Sequence, residues 1–134
     1  MDLECIICKN MNKKRILIVD DDTDILVTYK KGLEENGLFE VDTFTESEEA
    51  LSNFRTGLYD FLIIDIRMPK MNGFELYDKM KKIDNKVKVC FITAYEVNYE
   101  ALRKIFPEPK LECFIQKPIE ISNLIGRIKT ELEQ

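Results

Sequence analysis

The chain has 134 residues, of which 45% are hydrophobic and 34% are charged, and this composition fits one globular domain with its own core. Its formal net charge of -5 argues against direct binding of nucleic acid, because DNA-binding proteins neutralise phosphates with clustered Lys and Arg. The apolar runs are too short for membrane insertion and no signal-peptide pattern opens the chain, so we expect a cytoplasmic protein.

Residues 1–12 are interpreted as an irregular leader that precedes one domain over 13–134. The leader contains Cys5 and Cys8 at a spacing typical of zinc knuckles and redox motifs. A structural zinc site needs four ligands and the chain has no histidine, so we interpret this pair as incidental. The other two cysteines, Cys90 and Cys113, fall inside predicted strands, where we expect each free thiol to pack as a small hydrophobe.

The first half of the chain predicts two strand–helix units. Residues 15–20 form a continuous apolar run, as expected for a strand covered on both faces, and residues 39–44 alternate like an edge strand. Two helices with one-sided apolar positions follow these strands, the first carrying Ile25, Leu26, Tyr29 and Leu33, the second Ala50, Leu51 and Phe54. Thr45-Glu46-Ser47-Glu48 predicts a capping box at the start of the second helix.

The second half continues the alternation. Strands are predicted over 60–65, 87–92 and 112–116. The third helix carries the apolar residues Leu76, Met80 and Ile83, and the last helix carries Leu124, Ile125, Ile128 and Leu132. The fourth helix is predicted near 98–106, where the apolar pattern is poor. Strict alternation of five strands and five helices predicts an α/β, doubly wound parallel sheet, which binds ligands at the carboxyl ends of its strands.

Polar side chains lie where four of these strands end. They are Asp20, Asp21 and Asp22 after the first strand, Asp65 at the end of the third, Thr93 after the fourth, and Lys117 after the fifth. Two carboxylates about 4 Å apart near a protein surface repel by roughly 4 kcal/mol, so clustered acids indicate a cation. Mg²⁺ accepts carboxylate and phosphate oxygens together. We expect Asp22 only to cap the following helix.

Two further side chains suit a phosphoryl group bound beside these acids. A lysine at a buried strand end needs an anionic partner, and Asp65 or its phosphoryl group would serve Lys117 in that way. The hydroxyl of Thr93 is a donor for a phosphoryl oxygen. Together with the acids they predict a site that holds a divalent metal and accepts a phosphoryl group.

The run Asp65-Ile66-Arg67-Met68-Pro69-Lys70-Met71-Asn72-Gly73 resembles the D-x-x-M-P-x-M-x-G motif of receiver domains in two-component response regulators. The ordered set of polar residues over most of the chain is also similar to that family, in its stand-alone (CheY-like) type. The resemblance implies a flavodoxin-like (βα)5 sandwich with strand order 2-1-3-4-5. It also implies a cis Lys117-Pro118 bond.

By the same resemblance, Asp65 is the phosphoacceptor and takes its phosphoryl group from a sensor histidine kinase, a phosphotransfer protein or a small phosphodonor. Asp20, Asp21, Asp65 and the backbone carbonyl of Arg67 would hold Mg²⁺, for which Mn²⁺ could substitute. Such a domain is a signalling phosphoacceptor rather than an enzyme, since it catalyses only its own phosphorylation and slow autodephosphorylation.

The resemblance also implies a switch. Thr93 and Phe114 would report phosphorylation to a protein target through the face of the predicted fourth helix, the fifth strand and the last helix. Whether phosphorylation also drives homodimerisation stays open. Arg67 and Tyr95 stand two positions after Asp65 and Thr93, where bulky side chains would shield the aspartyl phosphate and prolong its lifetime.

Two alternatives stay open. A degenerate receiver would act only as a protein-binding module, although every expected site residue is present. A small haloacid-dehalogenase-like phosphatase would use the Asp20-x-Asp22 pair. That second alternative is weakened by Asp24, which stands where such enzymes require Thr or Val.

Overall fold

Five parallel strands form one sheet in the order β2-β1-β3-β4-β5 in the computed structural model, which describes residues 13–94 and 113–133. The strands are β1 (Lys14–Val19), β2 (Phe39–Phe44), β3 (Phe61–Asp65), β4 (Lys88–Thr93) and β5 (Phe114–Gln116). The helices in the described ranges are α1 (Thr23–Glu34), α2 (Ser47–Asn53), α3 (Gly73–Ile83) and α4 (Ile121–Leu132). The predicted doubly wound fold and strand order are confirmed, whereas the helix expected near 98–106 lies outside the described residues.

The core has two halves, one on each face of the sheet. Successive strand residues point to opposite faces, so Ile16 and Ile18 pack on one side while Leu17 and Val19 pack on the other. Helices α1 and α4 cover the first face, and α2 and α3 cover the second. Within the described ranges, no helix combines the length and the apolar character that crossing a membrane requires.

The prediction of a capping box at the start of α2 is wrong. The helix begins at Ser47, after Glu46, whose side chain makes no capping hydrogen bond. Ser47 is buried and its hydroxyl donates to the backbone carbonyl of Met71 at 2.8 Å, which ties α2 to the loop before α3. The capping box forms at α3 instead, where Asn72 and Glu75 each bond the other's backbone N–H.

Two further expectations about the core are wrong. Ile83 is 40% exposed, because it is the last residue of α3 and its successor Asp84 takes the buried position. Cys90 and Cys113 do not pack as free thiols, because the structure joins them in a disulfide between neighbouring strands. Their buried character was expected and is confirmed.

Strand β2 forms one edge of the sheet, and α1 covers part of that edge. The backbone N–H of Val41 donates to the Glu34 carboxylate at 3.1 Å. The carbonyl of the same residue accepts from the Lys30 ammonium at 2.7 Å. Side chains of one helix therefore satisfy both backbone groups at this edge position.

Candidate functional site

The carboxyl ends of four strands bring the predicted site residues to one edge of the sheet. Asp20 directly follows β1, Asp65 ends β3, Thr93 ends β4 and Lys117 directly follows β5. Asp20, Asp65 and Thr93 are buried, whereas Asp21 is exposed. The parallel order of the strands therefore assembles side chains that are far apart in the sequence.

Three carboxylates meet at this edge. One oxygen from each of Asp20, Asp21 and Asp65 lies within 4.8 Å of the others. One oxygen of Asp20, Oδ1, accepts the Asp22 N–H at 2.9 Å, which turns Oδ2 toward the centre of the cluster. That second oxygen is buried, and its partner among the described residues is the Lys117 ammonium, 2.7 Å away. Three carboxylates that share one ammonium leave an excess of negative charge, and such hard oxygen donors fit Mg²⁺ or Mn²⁺.

Lys117 joins two of the acids. Its Nζ lies 2.7 Å from Asp20 Oδ2 and 3.4 Å from Asp65 Oδ2, so the nearer partner is Asp20 rather than the expected Asp65. Its backbone N–H donates to the Thr93 carbonyl at 2.7 Å, which fixes its place beside β4. Burial acts to lower the pKa of Lys117, but the ion pairs with both acids raise it, so the ammonium stays charged. The implied cis Lys117-Pro118 bond is confirmed.

The surroundings of Asp65 change the pKa of its carboxyl group. Burial raises its pKa to about 7, and repulsion from Asp20 adds to that increase. Attraction to Lys117 and the N–H of Arg67, which donates to Asp65 Oδ1 at 3.4 Å, act in the opposite direction. Near neutral pH, Asp65 is therefore poised between its protonated and ionised forms.

This raised pKa predicts a pH dependence of stability in the absence of divalent metal. The unfolded chain releases the Asp65 proton near pH 4, whereas the folded chain holds it up to about pH 7. The free energy of unfolding should therefore fall as pH rises through this window, by at most about 1.4 kcal/mol per pH unit. Urea unfolding with a chelator present, from pH 5 to 8, would measure the slope. Asp65→Asn should flatten it, and an equal slope in both proteins would contradict the assignment.

The loop between β3 and α3 holds Asp65 in place through a contact that the sequence analysis did not identify. Lys70 adopts a left-handed φ of 68°, and the Gly73 N–H donates to the Ile66 carbonyl at 2.8 Å. A Cβ added to Gly73 would collide with the backbone carbonyl oxygen of Asp65. The glycine that closes the D-x-x-M-P-x-M-x-G motif therefore lets α3 start directly against the end of β3.

The remaining predicted residues lie around this cluster. Phe114 on β5 is buried and stacks on Phe91, with ring centroids 5.8 Å apart. Arg67 is exposed at the edge of the site, whereas Tyr95 lies outside the described residues. Asp22 caps α1 as expected, since its Oδ1 accepts from the N–H groups of Asp24 and Ile25.

A cleft of about 410 Å³ opens next to the acids. Its walls come from the residues between β1 and the start of α1, from the start of α2, and from the loop between β3 and α3, and both Asp21 and Lys70 line it. The exposed side of the acid cluster is therefore reachable from solvent.

A doubly wound parallel sheet with acids and a lysine at its carboxyl edge defines a CheY-like α/β protein of the flavodoxin fold. The sequence profile of the response regulator receiver domain family matches residues 16–129. The chain therefore belongs to the response regulator receiver domain family, whose members are signalling phosphoacceptors of two-component systems.

Similar proteins agree with this assignment. The response regulator receiver domain protein (CheY-like) from Methanospirillum hungatei superposes with a TM-score of 0.79 at 32% identity, covering 90% of this chain and 94% of that chain. The response regulator receiver protein CpdR of Brucella abortus is 31% identical over 89% of this chain and 97% of its own length. The transcriptional regulatory protein PrrA of Mycobacterium leprae is 31% identical over 92% of this chain. The chain spans about half the length of PrrA and the similar transcriptional regulators, 52% in that case.

Proposed function

We propose that residues 13–134 form a phosphoacceptor unit, with 1–12 as a leader, that receives a phosphoryl group on Asp65 and switches a protein-interaction face. The phosphodonor is a sensor histidine kinase or a phosphotransfer protein, and a small acyl phosphate can replace it. The observation that carries this proposal is the position of Asp65, which ends a central strand within reach of two further acids and an ammonium. The accessible cleft beside Asp21 supports an approach from solvent.

The chain's own groups account for the transfer. A carboxylate oxygen of Asp65 forms the new P–O bond as the bond to the donor breaks and the donor leaves with the electron pair. Lys117 and the Thr93 hydroxyl bind the phosphoryl oxygens, and the N–H of Arg67 orients the carboxylate. Lys117 must leave its ion pair with Asp65 for a phosphoryl oxygen, while its shorter contact with Asp20 keeps it in place.

The divalent metal has a donor set of suitable chemistry. Asp20, Asp21, Asp65 and the Arg67 backbone carbonyl would hold Mg²⁺, or Mn²⁺ in its place. When bound, the cation supplies positive charge that offsets the repulsion between the carboxylates and the incoming phosphoryl oxygens.

The first test is the intact mass of the protein after incubation with acetyl phosphate and Mg²⁺. We expect the wild-type chain to gain one phosphoryl group and Asp65→Asn to gain none, because an amide cannot form the acyl phosphate. Chelation of the metal beforehand should prevent the gain.

The neighbouring acid supplies a matched control for this test. Asp22→Asn removes one carboxylate from the same Asp run but keeps an oxygen that can cap α1, so it should be phosphorylated like the wild type. No mass gain in the wild type, with metal binding shown separately, would contradict the proposal and favour a receiver that acts only as a binding module. Phosphorylation of Asp65→Asn would place the acceptor elsewhere.

The output is proposed to pass through Thr93 and Phe114. In the structure, Phe114 is buried against Phe91, whose ring also contacts Phe74 at 4.7 Å, so the aromatic switch starts in a packed position. Contact of Thr93 with a phosphoryl oxygen would shift the end of β4 and with it this aromatic group. The target face is β5, α4 and the segment near 98–106, which lies outside the described residues.

Arg67 and Tyr95 are proposed to set the lifetime of the phosphorylated state. Arg67 is exposed and stands two residues after Asp65, with its backbone N–H directed at the Asp65 carboxylate, so its side chain is placed to screen the aspartyl phosphate from water. We expect Arg67→Asn to shorten the lifetime several-fold, because a smaller polar side chain admits and orients an attacking water. Loss of the phosphoryl mass over time after donor removal measures this. An unchanged decay rate would remove Arg67 from this role.

A further inference from the structure

The disulfide lies beside the proposed switch. Phe91 pairs with Phe114 in the β4–β5 register, so the cysteines that precede them face each other across neighbouring strands. Their Cα atoms are 4.6 Å apart, within the range that a disulfide requires. Cys90 is fully buried and Cys113 is 4% exposed. The register of the sheet thus brings together two thiols that are 23 residues apart in the chain.

The position of this bond matters because β5 is weakly attached. It has three residues and forms an edge of the sheet, with pairing only to β4 among the described strands. The disulfide joins the strands at the start of β5, and the N–H of Lys117 joins them at its end through the Thr93 carbonyl. Short edge strands open locally at low free-energy cost, so a covalent bond at one end strongly limits opening.

Two functional side chains depend on that attachment. Cys113 directly precedes Phe114, and Lys117 follows β5 at its other end. The disulfide packs in the half of the core under α1 and α4, whereas Phe114 packs in the opposite half, so the bond holds the backbone without touching the aromatic ring. Opening of β5 would remove Lys117 from Asp20 and Asp65.

We propose that the Cys90–Cys113 disulfide is a reversible redox brace whose oxidised state holds β5 in place and speeds phosphoryl acceptance. In a glutathione buffer, oxidation proceeds by thiol–disulfide exchange with oxidised glutathione. One thiolate attacks oxidised glutathione, forms a mixed disulfide and releases one glutathione. The second thiolate then attacks the protein sulfur of that mixed disulfide and releases the other, so the two thiol protons of the protein leave as part of two reduced glutathiones. Both sulfurs are buried, so exchange requires β5 to open. The effect on phosphorylation rests on the proposed function, whereas the brace itself does not.

The test uses a full chain with Cys5→Ser and Cys8→Ser, which leaves Cys90 and Cys113 as its two cysteines. Samples equilibrated in oxidised or reduced glutathione are denatured in the presence of a maleimide, which labels free thiols. The intact mass then gives the number of labels. We expect no label after oxidation, two labels after reduction, and full reversal. Hydrogen exchange of peptides that contain residues 113–117 should be several-fold slower in the oxidised protein.

The third readout is the rate of mass gain with acetyl phosphate and Mg²⁺, which should be several-fold faster in the oxidised protein. Cys90→Ala in the same background should show no redox dependence. Two free thiols in oxidised glutathione would overturn the brace. Thiols that become reactive when a chelator is added without a reductant would also overturn it, since Cys90, Cys113 and Glu131 would then be holding a metal. Equal rates in both redox states would overturn the coupling. If neither state gains a phosphoryl group, the proposed function and the coupling fail together, while thiol counts and exchange still decide the brace.

Discussion

Replacing Lys117 by Met should slow phosphorylation by acetyl phosphate about 100-fold or more, because it removes the only ammonium that contacts the acid cluster in the described residues. The side chains have similar length, so packing changes little and the lost charge dominates. In the folded protein the change also leaves buried Asp20 without its ion-pair partner. Removing one member of a buried pair costs about 3 kcal/mol or more, so stability should fall as well.

Two measurements separate these effects. Urea unfolding in a chelator gives the loss of stability, and the rate of phosphoryl mass gain gives the loss of function. Added Mg²⁺ should reduce the stability loss but not restore the rate, because a cation can balance Asp20 without replacing the contact to the phosphoryl oxygen. Lys70→Met makes the same charge change at an exposed position beside the site and should alter stability by less than about 0.5 kcal/mol. Equal losses in both variants would contradict the role given to Lys117.

Replacing Gly73 by Ala should destabilise the protein by about 2–3 kcal/mol, although only one methyl group is added. The new Cβ would lie 3.0 Å from both the Asp65 carbonyl carbon and Ile64 Cγ2, and it would overlap the Asp65 carbonyl oxygen. These atoms belong to central strand β3 or pack on it, so they cannot move aside cheaply. Either α3 or the end of β3 must shift, and phosphorylation at Asp65 should slow in parallel.

A second glycine provides the matched control. Gly126 lies inside α4, and no atom lies within 4 Å of a Cβ added there. Gly126→Ala should therefore raise the free energy of unfolding by about 0.5–1 kcal/mol, since alanine restricts the unfolded chain and favours the helix. Thermal and urea unfolding of both variants would measure the opposite signs. A Gly73→Ala protein as stable as the wild type would show that the close approach of α3 to β3 is not required.

Sequence patterns were most informative where local chemistry repeats along the chain. Continuous apolar runs such as Ile16 to Val19 identified the strands, and the acids that follow them identified the edge where a site would form. The strand order and the cis Lys117-Pro118 bond came from the family resemblance rather than from the residues. Their confirmation therefore supports the resemblance and not an independent derivation.

Features that depend on contacts between distant segments were missed or misassigned. The Thr45 to Glu48 pattern suits a capping box, but Ser47 bonds the Met71 carbonyl, a partner that no local pattern reveals. The Cys90–Cys113 pair depends on the β4–β5 register, which neither strand shows alone. The role of Gly73 is similar, because the atoms that exclude a Cβ belong to another element.

The hydrogen bonds from α1 to the edge of strand β2 have a consequence for how copies of this protein behave at high concentration. A foreign strand that docks on this edge must bond backbone groups of β2, as in the growth of cross-β aggregates. At Val41 both groups are already bonded, to Glu34 and to Lys30, so docking there would first break two hydrogen bonds to charged side chains. Docking of a foreign strand on the middle of β2 is thereby disfavoured, which lowers the tendency of this edge to act as a template for fibril formation.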